Sequence, residues 1–265
     1  MKLLLPESLD EAMEMLADGD PGRTPIAGGT DLLVHWPQHL AGDTRTYVDL
    51  SALQELRRLR WTEDALVLGG LTTFWDVITD PRAVAELPLL MEAGRLVGAI
   101  QIQSRGTWAG NVVNASPAAD GVPVLMAYDA VVVLQSLDGR EEVPLDAFYT
   151  GYKETRRRPD QLVTEIRLPR RAYTFQRFEK VGSRSQQAIA KVGLAVTRSD
   201  AGWRVVAASM APYVCRCPSL ELLLETGAPL ASPVDLLAAV QQDVSPIDDL
   251  RSTARYRTEV MARVL

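Results

Sequence analysis

The stretch "PIAGGTDLLVHW", residues 25–36, comes after the turn-rich segment "DGDPGRT" and runs into apolar residues. "TPIAGG" reads as a short buried strand ending in a glycine pair, so the chain leaves a sheet directly into a loop with almost no side chains. Two adjacent glycines there have two readings. They make a tight turn in which Thr30 or Asp31 caps a helix, or they bare the main chain so that it can lie against another group. Taken alone, the turn is the commoner case.

Working outward, "SLDEAMEMLADG" has Ser8 at a helix N-cap, Glu11 three residues on, apolar residues at 9, 12, 13 and 16, and Gly19 as its stop. "RTYVDLS" and "ALVLGG" read as further strands, and strands alternating with helices make this part α/β. "LPLLMEAGRLVGAI" reads as one helix, "AVVVLQSLDGREEVPL" as a hairpin around Asp138-Gly139, and "DQLVTEIRLP" as a strand stopped by Pro169. After that the character changes. "TFQRFEKVG" and "IAKVGLAVTRSDAGWRVVAASMA" give strands with short turns, and helices are expected at 219–226, 233–241 and 247–264, an α+β pattern. The boundary is placed near Pro169-Arg170-Arg171, giving domains 1–169 and 172–265.

Composition narrows the function classes. The chain has 265 residues, 47% of them hydrophobic, which is enough for a substantial core. Its net charge is −6, from 28 basic and 34 acidic side chains, and the densest basic cluster is the short "TRRRP" at 155–159. That argues against nucleic acid as a partner. No apolar run approaches the roughly 18 residues of a membrane span, and the N-terminus turns acidic too early for a signal peptide. A cytoplasmic protein is expected. The two cysteines, Cys215 and Cys217, form C-R-C, and the two histidines are His35 and His39. They are too few for a disulfide framework, the two thiols are read as facing apart, and a zinc site from these four lacks the usual spacings. An iron–sulfur cluster normally takes four thiolates, so none is expected in this chain.

The second informative stretch is "SRGTWAGNVVNASPAAD", residues 104–120, rich in small polar residues yet interrupted by Trp108, Val112 and Val113. Amides in such a segment can be given to an anion, with Thr and Ser hydroxyls as extra donors. Two such loops on one scaffold could clamp the two phosphates of a dinucleotide. Each signal also has a plain structural reading: Thr72 or Thr73 in "GGLTTFW" caps a helix, Asp120 is an N-cap, and Lys180 in "FEKVGSR" is a solvated strand lysine. Neither G-x-G-x-x-G nor a phosphate loop ending in Gly-Lys-Ser/Thr occurs, which disfavours a Rossmann NAD site or a nucleoside triphosphatase.

Together, "IAGGTDLL", "TWAGNVVNASPAAD", "FEKVGSR…IAKVGLA" and "STARYRTEVMARVL" resemble the FAD-binding middle subunit of the molybdenum hydroxylases, the xanthine dehydrogenase family, over nearly the whole chain. The resemblance implies an α+β chain: an FAD-binding fold of the PCMH or vanillyl-alcohol-oxidase type with two α/β subdomains, about 1–55 and 56–169, and a small C-terminal α+β domain of antiparallel sheet plus helices. It implies that Ile26, Ala27, Gly28, Gly29, Thr30, Asp31 and Leu32 form the loop holding the FAD pyrophosphate. Thr107, Gly110, Asn111, Val113 and Ser116 match further contact positions, and Asp120 matches one that meets the ribityl or ribose hydroxyls. Val163 falls where an apolar residue touches the flavin ring, and Lys180 where a positive charge near the flavin would favour its anionic reduced form. One departure is plain: the pattern Thr-aliphatic-Gly-Gly-Asn reads here with Trp108 and Ala109 in place of the aliphatic residue and first glycine. If that site needs positive φ, Ala109 is strained. In another departure, Gln187 replaces a frequent acid.

No residue pattern suggests a substrate-activating nucleophile, base or metal. The resemblance therefore implies an electron-transfer subunit of a heterotrimeric oxidoreductase. A partner small subunit would carry 2Fe–2S clusters and a partner large subunit molybdopterin, while FAD in this chain passes electrons to NAD or another acceptor. The rival readings are a self-sufficient flavin oxidase of the vanillyl-alcohol-oxidase type, with His35 or His39 as a covalent flavin anchor, and a scaffold that has lost its flavin.

Overall fold

The computed structural model describes residues 2–18, 20, 22–34 and 45–265. His35 and His39, and with them the covalent-anchor and zinc readings, lie outside the described residues.

Strand β1 (Lys2–Leu4), helix α1 (Leu9–Ala17) and strands β2 (Arg23–Ile26) and β3 (Thr46–Asp49) make the first layer. Both β1 and β2 pair in parallel with the central β3. The Ser8 hydroxyl accepts from the Glu11 amide, as its spacing predicts, and α1 buries Ala12, Met13 and Leu16 against Val48, Leu50 and Leu53. The parallel arrangement sends the chain out of the carboxyl ends of β2 and β3 on one side, where loops of such sheets form ligand crevices.

Next come β4 (Leu59–Trp61) and β5 (Ala65–Gly69), then helices α2 (Phe74–Ile78), α3 (Pro81–Glu86), α4 (Pro88–Leu96), α5 (Ile100–Gln103), α6 (Trp108–Val113) and α7 (Gly121–Ala127). The chain returns through β6 (Val131–Ser136), β7 (Gly139–Pro144), the small hairpin β8 (Tyr149–Gly151) and β9 (Glu154–Thr155), and β10 (Leu162–Pro169). The order β4-β5-β10-β6-β7 forms an antiparallel five-stranded sheet. Its central strand β10 shifts register between Val163 and Glu165, which bends it where it enters the sheet.

The last part is the antiparallel sheet β11 (Phe175–Val181), β12 (Val192–Ser199), β13 (Gly202–Ala208) and β14 (Cys215–Arg216), covered by α8 (Pro218–Glu225), α9 (Val234–Asp243) and α10 (Ala254–Val264). One face of this sheet packs on those helices through Val192, Leu194 and Val205. The other packs on α7, so Phe178, Ala195 and Val206 share one core with Leu66, Trp108, Leu125 and Ile166. Thr197 Oγ1, fully buried, donates to the Ala127 carbonyl at 2.8 Å across that seam.

Several local expectations change. The helix read over 87–100 ends at Leu96, because the chain reverses at Gly98 with φ +53°, and Ile100–Gln103 is a separate turn of helix. The β6–β7 turn is centred on Leu137 and Asp138, with Ser136 opposite Gly139. The final helix begins at Ala254 rather than 247. Thr253 caps it, and the Asp249 carboxylate gathers the amides of Arg251 and Ser252 and the Arg257 guanidinium into a preceding turn. Cys215 and Cys217 do not face apart: residues two apart on an extended strand share a side, and the neighbouring Cys217 thiol lowers the Cys215 pKa.

Candidate functional site

The "AGGTD" loop leaves β2 and at once meets the segment before α6. An added Cβ on Gly28 would lie 1.8 Å from the Arg105 carbonyl oxygen and 2.5 Å from its carbon, so only glycine permits this approach. Asn114, just past α6, donates from Nδ2 to Asp31 Oδ1 at 3.0 Å. The two glycine-rich stretches therefore converge and touch, and they still leave a cleft of about 530 Å³ between them. That volume is in the range of small-molecule sites.

The third wall is the start of β10. Gly70 packs so closely on β10 that a Cβ there would lie 2.4 Å from the Val163 carbonyl oxygen, and the Gly70 amide donates to Thr164 O at 2.8 Å. This pins Gln161, Leu162 and Val163 along the cleft. Phe74, Val97 and Ile102 add apolar surface, and Lys153 and Arg157 reach it from the β8–β9 hairpin and the segment after it.

Its hydrogen-bonding capacity is in the main chain. Among the described residues, the amides of Gly28, Gly29, Thr30 and Asp31 meet no acceptor, and amides at a cleft without partners are a ready anion site. The second stretch differs from its expected form: residues 108–113 are helical rather than a donor loop. Thr107 Oγ1 caps that helix by accepting from the Gly110 amide at 2.9 Å, and the Asn111 amide donates to the Thr107 carbonyl. The Asn111 side-chain oxygen, in contrast, is buried without a partner. Ala109 sits in this right-handed helix, not at positive φ, so the substitution of the usual glycine carries no backbone strain. Trp108 turns away into the core against Phe74, ring centroids 4.7 Å apart.

Of the residues expected at the site, Ala27, Gly28, Gly29, Thr30, Asp31, Leu32, Thr107, Gly110, Asn111, Val113 and Val163 line the cleft. Ile26, Ser116, Asp120 and Lys180 do not. Ser116 Oγ accepts from the Ala118 amide at 3.3 Å. Asp120 stands at the N-cap position of α7 but caps nothing; its carboxylate pairs with Lys180 Nζ at 2.7 Å, and Lys180 also donates to the Leu96 carbonyl at 3.1 Å. The lysine is thus buried rather than solvated. Burial pushes the Asp120 carboxyl up to about 6, against the lowering pull of Lys180. Sequence reasoning missed Gly70, Phe74, Lys153, Arg157 and Gln161. Gly69-Gly70 shows only a superficial likeness to Gly28-Gly29, and Arg157 is hidden in a surface-like basic run. Thr73, as expected, caps α2, in a capping box with Asp76.

Among the described residues, the ionisable side chains on the cleft wall are Asp31, Lys153 and Arg157. Partnerless amides on one side, an apolar wall and cations suit a ligand that joins phosphate to a flat aromatic ring. Among the described residues, no group of three or more His, Cys, Asp or Glu is placed to hold a metal.

Residues 1–171 match the family described as the FAD binding domain in molybdopterin dehydrogenase. The chain belongs to this family. As a member, it is 30% identical to the carbon monoxide dehydrogenase medium chain of Hydrogenophaga pseudoflava, over 98% of this chain and 92% of that one. It is 33% identical to the nicotinate dehydrogenase FAD-subunit of Eubacterium barkeri, over 74% and 69% of the two chains. In three dimensions it matches the carbon monoxide dehydrogenase of H. pseudoflava that lacks the Mo-pyranopterin moiety of the molybdenum cofactor. The TM-score is 0.87 at 28% identity, covering 99% of this chain and 93% of that one. These relatives identify an oxidoreductase family whose FAD-binding unit this chain carries, and they do not favour a self-sufficient flavin oxidase.

Proposed function

We propose that the chain is the FAD-carrying electron-transfer subunit of a heterotrimeric molybdenum-containing hydroxylase or dehydrogenase, with iron–sulfur clusters in a small partner subunit and molybdopterin in a large one. The observation that carries this reading is the run of acceptor-free amides at Gly28–Asp31 facing a cleft with an apolar wall. These amides would hold the pyrophosphate, with Ala27 and Leu32 completing the loop. Thr107, Gly110, Asn111 and Val113 form the opposite bank. Val163, Leu162 and Phe74 offer the apolar surface on which a flavin ring would lie, and so exclude water from it. When bound, FAD supplies the redox chemistry that the protein's own side chains lack, passing electrons to an external acceptor such as NAD.

Ile26 leads into the loop from β2, while Ser116 and the Asp120–Lys180 pair lie outside the cleft lining. Residues 1–169 would be the FAD-binding domain and 172–265 the C-terminal domain. Among the described residues no helix is long and apolar enough to cross a membrane, and we place the complex in the cytoplasm.

The test is co-expression with candidate small and large subunits, followed by size-exclusion and absorbance spectra. The expected outcome is a complex with flavin bands and dehydrogenase activity. A lone monomer with full dehydrogenase activity would refute the assembly, and a chain that binds no FAD would refute the site.

A further inference from the structure

The cleft carries two cations without carboxylate partners. Among the described residues neither Lys153 nor Arg157 makes an ion pair, although the basic run around Arg157 has acids close by. Asp160 is held by Arg158 at 2.9 Å. The Arg157 guanidinium is fixed instead by main chain: Nη1 donates to the carbonyls of Gln161 at 2.7 Å and Arg158 at 2.9 Å. It is half-buried, and burial lowers its pKa from the usual arginine value. Holding a desolvated cation against carbonyls, with the nearest acid committed elsewhere, costs free energy unless a negative group arrives. Lys153 is the second residue of the two-residue β8–β9 turn, sits at φ +57°, a conformation disfavoured for a side chain of its size, and lines the cleft. Lys180, the cation expected near the flavin, is already neutralised by Asp120 and lies outside the cleft lining.

We infer that Arg157 and Lys153 are the electropositive element of the site: held beside the Gln161–Val163 wall, they stabilise the negative charge that the bound flavin ring gains on reduction. This rests on the proposed FAD site and adds to it which residues set the cofactor's affinity in its two redox states. The carbonyl of Gln161, to which Arg157 is tied, immediately precedes Leu162 and Val163, so its charge lies on the ring side of the site rather than at the Gly28–Asp31 amides. A fixed cation there favours the anionic reduced form over the neutral oxidised form.

The experiment compares the full chain with its Arg157→Gln, Arg157→Lys and Lys153→Gln variants. Oxidised FAD binding is titrated by flavin fluorescence, and the flavin midpoint potential is measured against reference dyes. Arg157→Gln is expected to lower the ratio of reduced to oxidised FAD affinity at least tenfold, about 30 mV for a two-electron couple. Binding of oxidised FAD should weaken less than binding of reduced FAD, and Arg157→Lys should retain most of the potential. Lys153→Gln, on an exposed turn where folding is not at risk, should shift the potential in the same direction by less. An unchanged potential in both Gln variants would overturn the inference, as would equal weakening of both redox forms, which would move the charge to the phosphates. Absence of FAD binding by the unaltered chain would instead remove the site on which the inference stands.

Discussion

Gly28→Ala tests the convergence of the two stretches directly. The new methyl would fall 1.8 Å from the Arg105 carbonyl oxygen, about 1.6 Å short of the 3.4 Å at which ordinary contact begins. The obstacle is main chain, not the end of a flexible side chain, so one stretch must back away from the other. Overpacking of this kind costs about 1–3 kcal/mol of stability. Moving the loop by more than an ångström also carries the Gly28–Asp31 amides out of hydrogen-bond range of a fixed phosphate. Hydrogen bonds to a charged group contribute about 1.5–3 kcal/mol each, so the loss of one weakens FAD binding roughly tenfold to a hundredfold. Flavin fluorescence titration reads the affinity, and thermal unfolding of FAD-free protein separates loop displacement from global damage. A variant that binds FAD within threefold of the parent and melts at the same temperature would show that the stretches do not meet as described.

The remaining predictions concern the walls of the site. Lys180→Met leaves Asp120 buried without its counter-charge and should cost about 3 kcal/mol at pH 8 in urea unfolding. The deficit should shrink at pH 5, where a protonated Asp120 needs no partner; equal deficits at both pH values would refute the pairing. In the parent, the folded Asp120 carboxyl titrates near 6 and an unfolded one near 3.8. The folded state then binds the extra proton between those values, so this group's contribution to stability falls as pH rises from about 4 to 6. An Asp120→Asn variant should lose that component of the pH profile. Trp108→Ala should cost about 3–5 kcal/mol by chemical denaturation. Trp108→Phe should cost far less, because the buried indole nitrogen has no hydrogen-bond partner among the described residues. Ala109→Gly, which restores the more usual residue, should lower stability by about 0.5–1 kcal/mol rather than raise it, since the position is helical; a more stable variant in the same assay would contradict that geometry.

Much of the site was legible because its determinants are local. Gly28 and Gly29 at the end of a strand announce a bare loop, and Ser8 and Thr73 sit where capping residues belong. Strand periodicity found β5, β10, β12 and β13 with small errors at their ends. The failures involve contacts between distant parts of the chain. Nothing near Lys180 says that it will meet Asp120 sixty residues earlier, so a buried pair looked like a solvated lysine and a helix cap. Arg157 sits in a run of three arginines, and the carbonyls that hold it depend on how the segment folds back toward Gln161. The stretch 104–120 looked like a loop because Gly, Asn and Ser have poor helix propensity. Packing of Trp108, Ala109 and Val112 into the core outweighs that.

The seam between α7 and the last sheet constrains any dissection of this molecule. Helix α7 is apolar along its whole length and fully enclosed, with β12 and β13 forming its outer cover. A fragment stopped at residue 171, where the family match ends, would present Val122, Leu125 and Met126 to water and leave Asp120 without its lysine. Such a piece should bind hydrophobic dyes and self-associate, even with all its cofactor loops present. The last third of the chain covers the helix next to the second bank of the cleft, and its removal should distort the cleft as well.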